Sequence, residues 1–245
     1  MTLRWLICFS IAPLVLDAAG VSGHVELRDS REPAVRNQRD FSGVVVSLKS
    51  AGKSAGKPVG QTATMPASSA HAAIKQKDKT FAPHVLAIPT GTYIDFPNLD
   101  PIFHNAFSSY SGQVFDIGLY PPGSSRSVRF TREGVVRVFC NIHSSMSAMI
   151  VVLATPYFAV SKRDGSWELP NVPAGEYELR VVHERASDAA LQALTRRVSV
   201  GDTPLTLPAL SISEAGYLSI PHKNKYGHDY SREADGPVIY PGAIR

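Results

Sequence analysis

Cysteine is almost missing from this chain: 245 residues contain two, Cys8 and Cys140. Cys8 sits in the apolar run from Trp5 to Leu16, which follows Arg4 and precedes the small residues Ala18, Ala19 and Gly20. A positive start, an apolar stretch and a small-residue region make a cleavable secretory leader, expected to cover residues 1–23. The mature chain then keeps one cysteine, so an intrachain disulfide is excluded, and an unpaired thiol in an oxidising compartment needs a chemical reason. Long apolar runs are scarce as well. The N-terminal one is interrupted by Pro13 and is too short for a hydrocarbon core of ~30 Å, so a periplasmic product with no stable membrane insertion after leader cleavage is expected. Charge of one sign is not in excess: 25 Lys and Arg against 21 Asp and Glu leave a net +4. These residues are scattered, without the dense basic stripe that nucleic acid requires. Neither a Cys-x-x-Cys-His haem site, nor a Gly-x-Ser-x-Gly nucleophile turn, nor a glycine-rich phosphate loop is present, and no His-x-His pair exists for a multi-copper cluster. The sequence thus offers no candidate for catalysis.

What is present is short, alternating apolar segments between turn residues. Residues 23–28 and 41–49 are strand-like and are expected to form a hairpin or two sheet neighbours. Residues 50–70, rich in Gly, Ser, Ala and Pro, are expected to be a flexible linker. From 71 to 154 strands recur between turns at Pro89-Thr90-Gly91, Pro97-Asn98 and Pro121-Pro122-Gly123, and no segment has the length and period of a helix. Residues 155–212 read as further strands turning at Asp164-Gly165 and Pro173-Ala174-Gly175, with a short helical turn over 187–194. Residues 213–245 lack a core-forming pattern and are expected to be an extended tail. The fold class is therefore all-β, with two sandwiches. Strand supply bears on their boundaries, because 155–212 alone holds too few strands to close two sheets. Residues 24–49 can complete it, which makes 71–154 an insertion; alternatively, 41–49 is an edge strand of the 71–154 unit.

One loop concentrates the chemistry. Between the β-branched runs 135–139 and 149–153 stand Cys140, His143 and Met146. Thiolate, imidazole and thioether form a soft donor set suited to copper. His104, beside Pro101 and the aromatics Phe103 and Phe107, can supply the second imidazole. His104, Cys140 and His143 would then form a trigonal plane with Met146 as the long axial ligand, while Met149, alternating with Val151 and Leu153, fits an ordinary core position.

The order His104, Cys140, His143, Met146, with its Cys-x2-His-x2-Met loop, resembles the amicyanin type of cupredoxin, and the strand segment 81–98 is similar to that family too. Ser144 departs from it, since amicyanins usually carry proline after the ligand histidine. The resemblance implies a Greek-key sandwich holding one type 1 (blue) copper, and a role for Asn105 in tying the two ligand segments together by a hydrogen bond near the thiolate. It further implies an electron carrier between a periplasmic dehydrogenase and a c-type cytochrome, as in methylamine utilisation, with electrons leaving by an exposed edge of His143. Pro101, Phe103, Ile142, Pro121 and Pro122 are candidates for an apolar docking rim. Residues 155–212 resemble the regulatory-like (transthyretin-type) sandwich appended to carboxypeptidases. A copper-binding or surface-interaction module, in which that sandwich binds a partner, is the alternative function.

Overall fold

The structure is a computed structural model and describes residues 19–52, 70–109, 112–218 and 222–230. The first strand, Ala19–Arg28, turns Ala19, Val21, Val25 and Leu27 inward while its other residues are wetter, the period-2 pattern of a half-buried strand. It pairs antiparallel with Ser166–Val172 and parallel with Leu205–Thr206 and Leu210–Ser213. A second sheet has the order Phe158–Val160, Val45–Ser50, Gly175–Val182, Arg196–Val200. The two sheets close on one apolar core around Trp167, Leu48, Leu179 and Leu210. Gly23 is required there, because a Cβ would lie 2.4 Å from the Trp167 ring.

Two expectations change here. Ala19 to Gly23, expected to belong to the leader, form the buried start of a strand, with Ala19 and Val21 at 2% and 0% exposure; residues 1–18 lie outside the described residues. The segments 23–28 and 41–49 are not neighbours: the short helix Pro33–Gln38 carries the chain from one sheet to the other. The strand Val45–Ser50 pairs with Phe158–Val160 and Gly175–Val182. The linker expectation falls mostly on residues 53–69, which lie outside the described residues.

Between these strands the chain builds the other sandwich. One sheet has Ser125–Arg129, Tyr93–Pro97 and His71–Ala73 in order; the other has Val85–Pro89, Ser147–Leu153, Gly134–Phe139, Phe107–Ser108 and Phe115–Asp116. A hairpin, Lys75–Lys77 with Thr80–Ala82, closes one end. Ile74, Phe96, Phe130, Val138 and Ile150 fill the core, together with Cys140 and Met146.

The two sandwiches are joined by a third apolar layer. In Ser147–Leu153, Ala148, Ile150 and Val152 face the sandwich core, while Met149, Val151 and Leu153 face the other way, against Val45, Phe158, Val160 and Val182. A strand covered on both faces needs an unbroken apolar run, and residues 148–153 are one.

Candidate metal centre

Cys140 follows the strand Gly134–Phe139, and its loop returns to the strand Ser147–Leu153, which pairs with the first in register. The loop is closed by backbone bonds from Cys140 N–H to Met146 O (3.2 Å) and from Met146 N–H to His143 O (3.2 Å). His104 comes from a different part of the chain and is held by reciprocal backbone bonds with Tyr120, at 3.2 and 2.9 Å. The Tyr120 hydroxyl is itself anchored to Phe96 O at 2.9 Å.

These elements bring His104, Cys140 and His143 together, each fully buried, with ligand atoms within 4.8 Å of one another. Both histidines turn Nδ1 toward the sulfur: Sγ is 3.9 Å from His104 Nδ1 and 3.7 Å from His143 Nδ1. With metal–sulfur and metal–nitrogen bonds of about 2.3 and 2.0–2.1 Å, a trigonal arrangement separates S and N by roughly 3.8 Å, and a tetrahedral one by roughly 3.6 Å. The observed 3.7 and 3.9 Å are close to both values, so one metal ion could bond to the sulfur and to each Nδ1. Met146 is buried in the same cluster as Cys140, whereas Met149 lies in the seam between the sandwiches.

Sequence reasoning missed Asp100. Its carboxylate accepts from His104 Nε2 at 2.7 Å, and from the backbone N–H groups of Asp78 (2.6 Å) and Lys79 (2.9 Å). Asp78 and Lys79, both at φ 54°, form the tight turn of the Lys75–Ala82 hairpin, so that turn fixes Asp100 and Asp100 fixes the imidazole. Burial pushes the Asp100 carboxyl up, but the bonds from Lys79, His104 and Asp78 outweigh it and hold the group below its ordinary value. An ionised carboxylate can only accept, so the proton of His104 is on Nε2 and the Nδ1 lone pair faces the sulfur. Burial, partly opposed by Asp100, keeps the imidazole below its ordinary pKa and therefore neutral. The available signal was an aspartate four residues before the histidine, which reads equally well as a turn residue before Pro101.

Burial also pushes the Cys140 thiol up, while backbone N–H groups of Ile142, Asn105 and His143 pull in the opposite direction. Those donors are the polar support a thiolate needs once water is excluded. Asn105 Oδ1 accepts from Asn141 N–H at 3.0 Å and its Nδ2 donates to Asp116 at 2.7 Å. It therefore spans the residue after His104 and the residue after Cys140.

Two expectations are corrected. His143 has no exposed edge; it is 0% exposed. The tail is not wholly extended either, because residues 222–230 pack on the ligand loop, with the His222 ring stacked on Phe139 at 4.2 Å and Tyr230 donating to Cys140 O at 2.5 Å. Of the expected rim, Pro101, Pro121 and Pro122 are exposed, while Phe103 and Ile142 are half-buried.

No family model matches the chain, and no curated protein does. Solved structures similar to it include a copper-containing nitrite reductase from Thermus scotoductus SA-01, at 26% identity and a TM-score of 0.32, covering 33% of this chain and 22% of that one. This chain thus spans about a fifth of that enzyme's length. A purple cupredoxin from Nitrosopumilus maritimus is similar at 25% identity and a TM-score of 0.30, over 35% of this chain and 100% of its own. A copper(I) amicyanin variant is similar at 15% identity and a TM-score of 0.32, over 33% of this chain and 80% of its own.

Proposed function

We propose that the protein is an exported, non-enzymatic carrier of single electrons in which His104, Cys140 and His143, together with Met146, would hold one type 1 copper. The observation that carries this reading is the convergence of two Nδ1 atoms on one buried sulfur at 3.7 and 3.9 Å, from two separate parts of the chain. When bound, such a copper supplies a reversible one-electron couple.

The chain's own groups do the rest. Asp100 keeps the His104 proton on Nε2 and its Nδ1 available. Burial pushes the Cys140 thiol up, and the backbone N–H groups of Ile142, Asn105 and His143, which oppose that, would support the sulfur as a thiolate once a metal is bound. All three donors are fully buried, which shields the centre from bulk water and supports the carrier reading. The sandwich core behind Cys140 and Met146 makes the donor positions stiff, so little rearrangement accompanies a change of charge.

The partners fitting this reading are a periplasmic electron donor and acceptor, of the dehydrogenase and cytochrome c kinds, docking through small contact patches. Because His143 is covered, electrons would reach them through the groups packed over the loop rather than through a bare imidazole edge. Titration of the metal-free protein with Cu(II) tests the reading. One equivalent should produce an intense visible thiolate-to-copper band and a reversible potential; a colourless saturated protein would reject it.

A further inference from the structure

The described part of the C-terminal segment places its contacts on residues adjacent to the proposed ligands. Its shape is preset by Asn224, whose side-chain oxygen accepts from Tyr226 N–H and His228 N–H at 3.0 Å each, and whose backbone bonds close a turn with Gly227 and His228 at 2.9 Å. From that turn, Lys225 reaches in two directions. Its N–H donates to Asn141 Oδ1 at 2.9 Å, and its Nζ pairs with Asp116 Oδ2 at 2.7 Å. Asp116 Oδ1 accepts from Asn105 Nδ2 at 2.7 Å, and Asn105 Oδ1 accepts from Asn141 N–H at 3.0 Å.

These four bonds close a ring: Lys225, Asp116, Asn105, Asn141 and back to Lys225. Asn105 and Asn141, the residues after His104 and Cys140, meet directly in one of these bonds, and Lys225 of the tail braces that contact with a second path through Asp116. Both flanks of the segment are also fixed, His222 by its stack on Phe139, the residue before Cys140, and Tyr230 by its bond to the Cys140 carbonyl. A segment held merely as packing would need apolar burial; this one directs an amide and a phenol at the ligand loop and an ammonium at Asp116, the partner of Asn105.

We propose that residues 222–230 are a strap that completes the metal centre, with Lys225 and Tyr230 as positioning residues that hold the two ligand segments together and must release before copper enters or leaves. This rests on the reading that His104, Cys140 and His143 bind copper. The Lys225–Asp116 pair is partly exposed, with side chains at 26% and 38%, so the strap loosens with salt. Raising salt from about 0.1 M to about 1 M shortens the screening length from about 10 Å to about 3 Å. Loosening admits water, favours the more highly charged Cu(II), and lowers the reduction potential.

The test compares wild type with Lys225→Met, Lys225→Arg and Tyr230→Phe in the full chain. Three things are read: copper transfer to a chelator in low and high salt, the reduction potential, and hydrogen exchange of the 141 and 225 amides without copper. Lys225→Met and Tyr230→Phe should lose copper roughly tenfold faster or more, at a lower potential and with faster amide exchange, while Lys225→Arg restores most of each. High salt should speed transfer from the wild type and leave Lys225→Met unchanged. Variants that colour normally and keep wild-type transfer rates, potentials and amide protection would overturn the strap. A wild type that binds no copper while its 225 amide stays protected would overturn the copper reading instead.

Discussion

Replacing Asp100 by alanine should weaken copper binding although Asp100 is not a ligand. The substitution removes the acceptor of three hydrogen bonds at once. Two of the orphaned donors belong to Asp78, which is exposed, and Lys79, which is half-buried, so water can replace most of what they lose. His104 is different, because it is 0% exposed and its Nε2–H would be left facing protein. A buried donor stripped of its partner costs about 1–3 kcal/mol, and the upper half of that range applies where the lost acceptor was charged. The imidazole can relieve that cost by moving its proton to Nδ1, the atom that must carry a free lone pair to bind metal. Both effects oppose copper, and loss of a carboxylate behind a metal-binding histidine typically lowers affinity by about 10–100-fold, or about 1.4–2.8 kcal/mol. Asp100→Asn should fall between, since its amide oxygen can still accept from His104 while its NH2 confronts the Asp78 N–H. Chelator competition measures the affinity and urea unfolding of the copper-free protein measures the stability. If Asp100→Ala binds copper within twofold of wild type and unfolds at the same urea concentration, the argument that Asp100 sets the His104 proton is wrong.

Met149→Ala should cost about 2–5 kcal/mol in unfolding free energy, because it opens a cavity in the seam between the sandwiches, while the spectrum of the copper form stays unchanged. Met146→Leu should keep copper and colour but raise the reduction potential, since a polarizable donor to Cu(II) is lost; cyclic voltammetry reads this. His84 Nε2 meets Glu184 Oε1 at 2.8 Å across the two sandwiches, and that hydrogen bond, against burial, raises the His84 pKa above 6.5. Its contribution is therefore complete below pH 6.5 and lost as pH rises through the raised value. Glu184 is pushed up by burial but held below 4.5 by His84 and the nearby arginines, so its share is lost only as pH falls through that lowered value. Thermal unfolding of the copper-free protein should show His84→Gln losing the decline on the alkaline side and keeping the rest of the profile.

The donor cluster was readable in the sequence because its residue types are rare and closely spaced: Cys140, His143 and Met146 share one loop between two strand-like runs, and His104 stands beside a proline turn. The strands themselves were readable from alternation. Their partners were not, since pairing is a long-range property; 23–28 and 41–49 look alike in pattern, yet the helix Pro33–Gln38 sends them to opposite sheets. The seam had a signal in the unbroken apolar run of residues 148–153, which only a strand covered on both faces can use. Asp100 had only an ambiguous one, its place four residues before His104, because its role depends on the Asp78-Lys79 turn arriving from 21 and 22 positions earlier. The burial of His143 and the docking of residues 222–230 were illegible for a related reason. That segment has no apolar period, and it is ordered by polar contacts on a loop that is already formed, so its pattern resembles that of a free tail.

The most direct measurement is the visible absorption spectrum of the copper-free protein titrated with Cu(II), taken alongside Cys140→Ser. The geometry of Cys140 between His104 Nδ1 and His143 Nδ1 calls for an intense charge-transfer band that saturates at one equivalent and is missing from Cys140→Ser. A wild-type protein that binds copper without that band, or a Cys140→Ser protein that shows it, would contradict the copper–thiolate centre on which the proposed function stands.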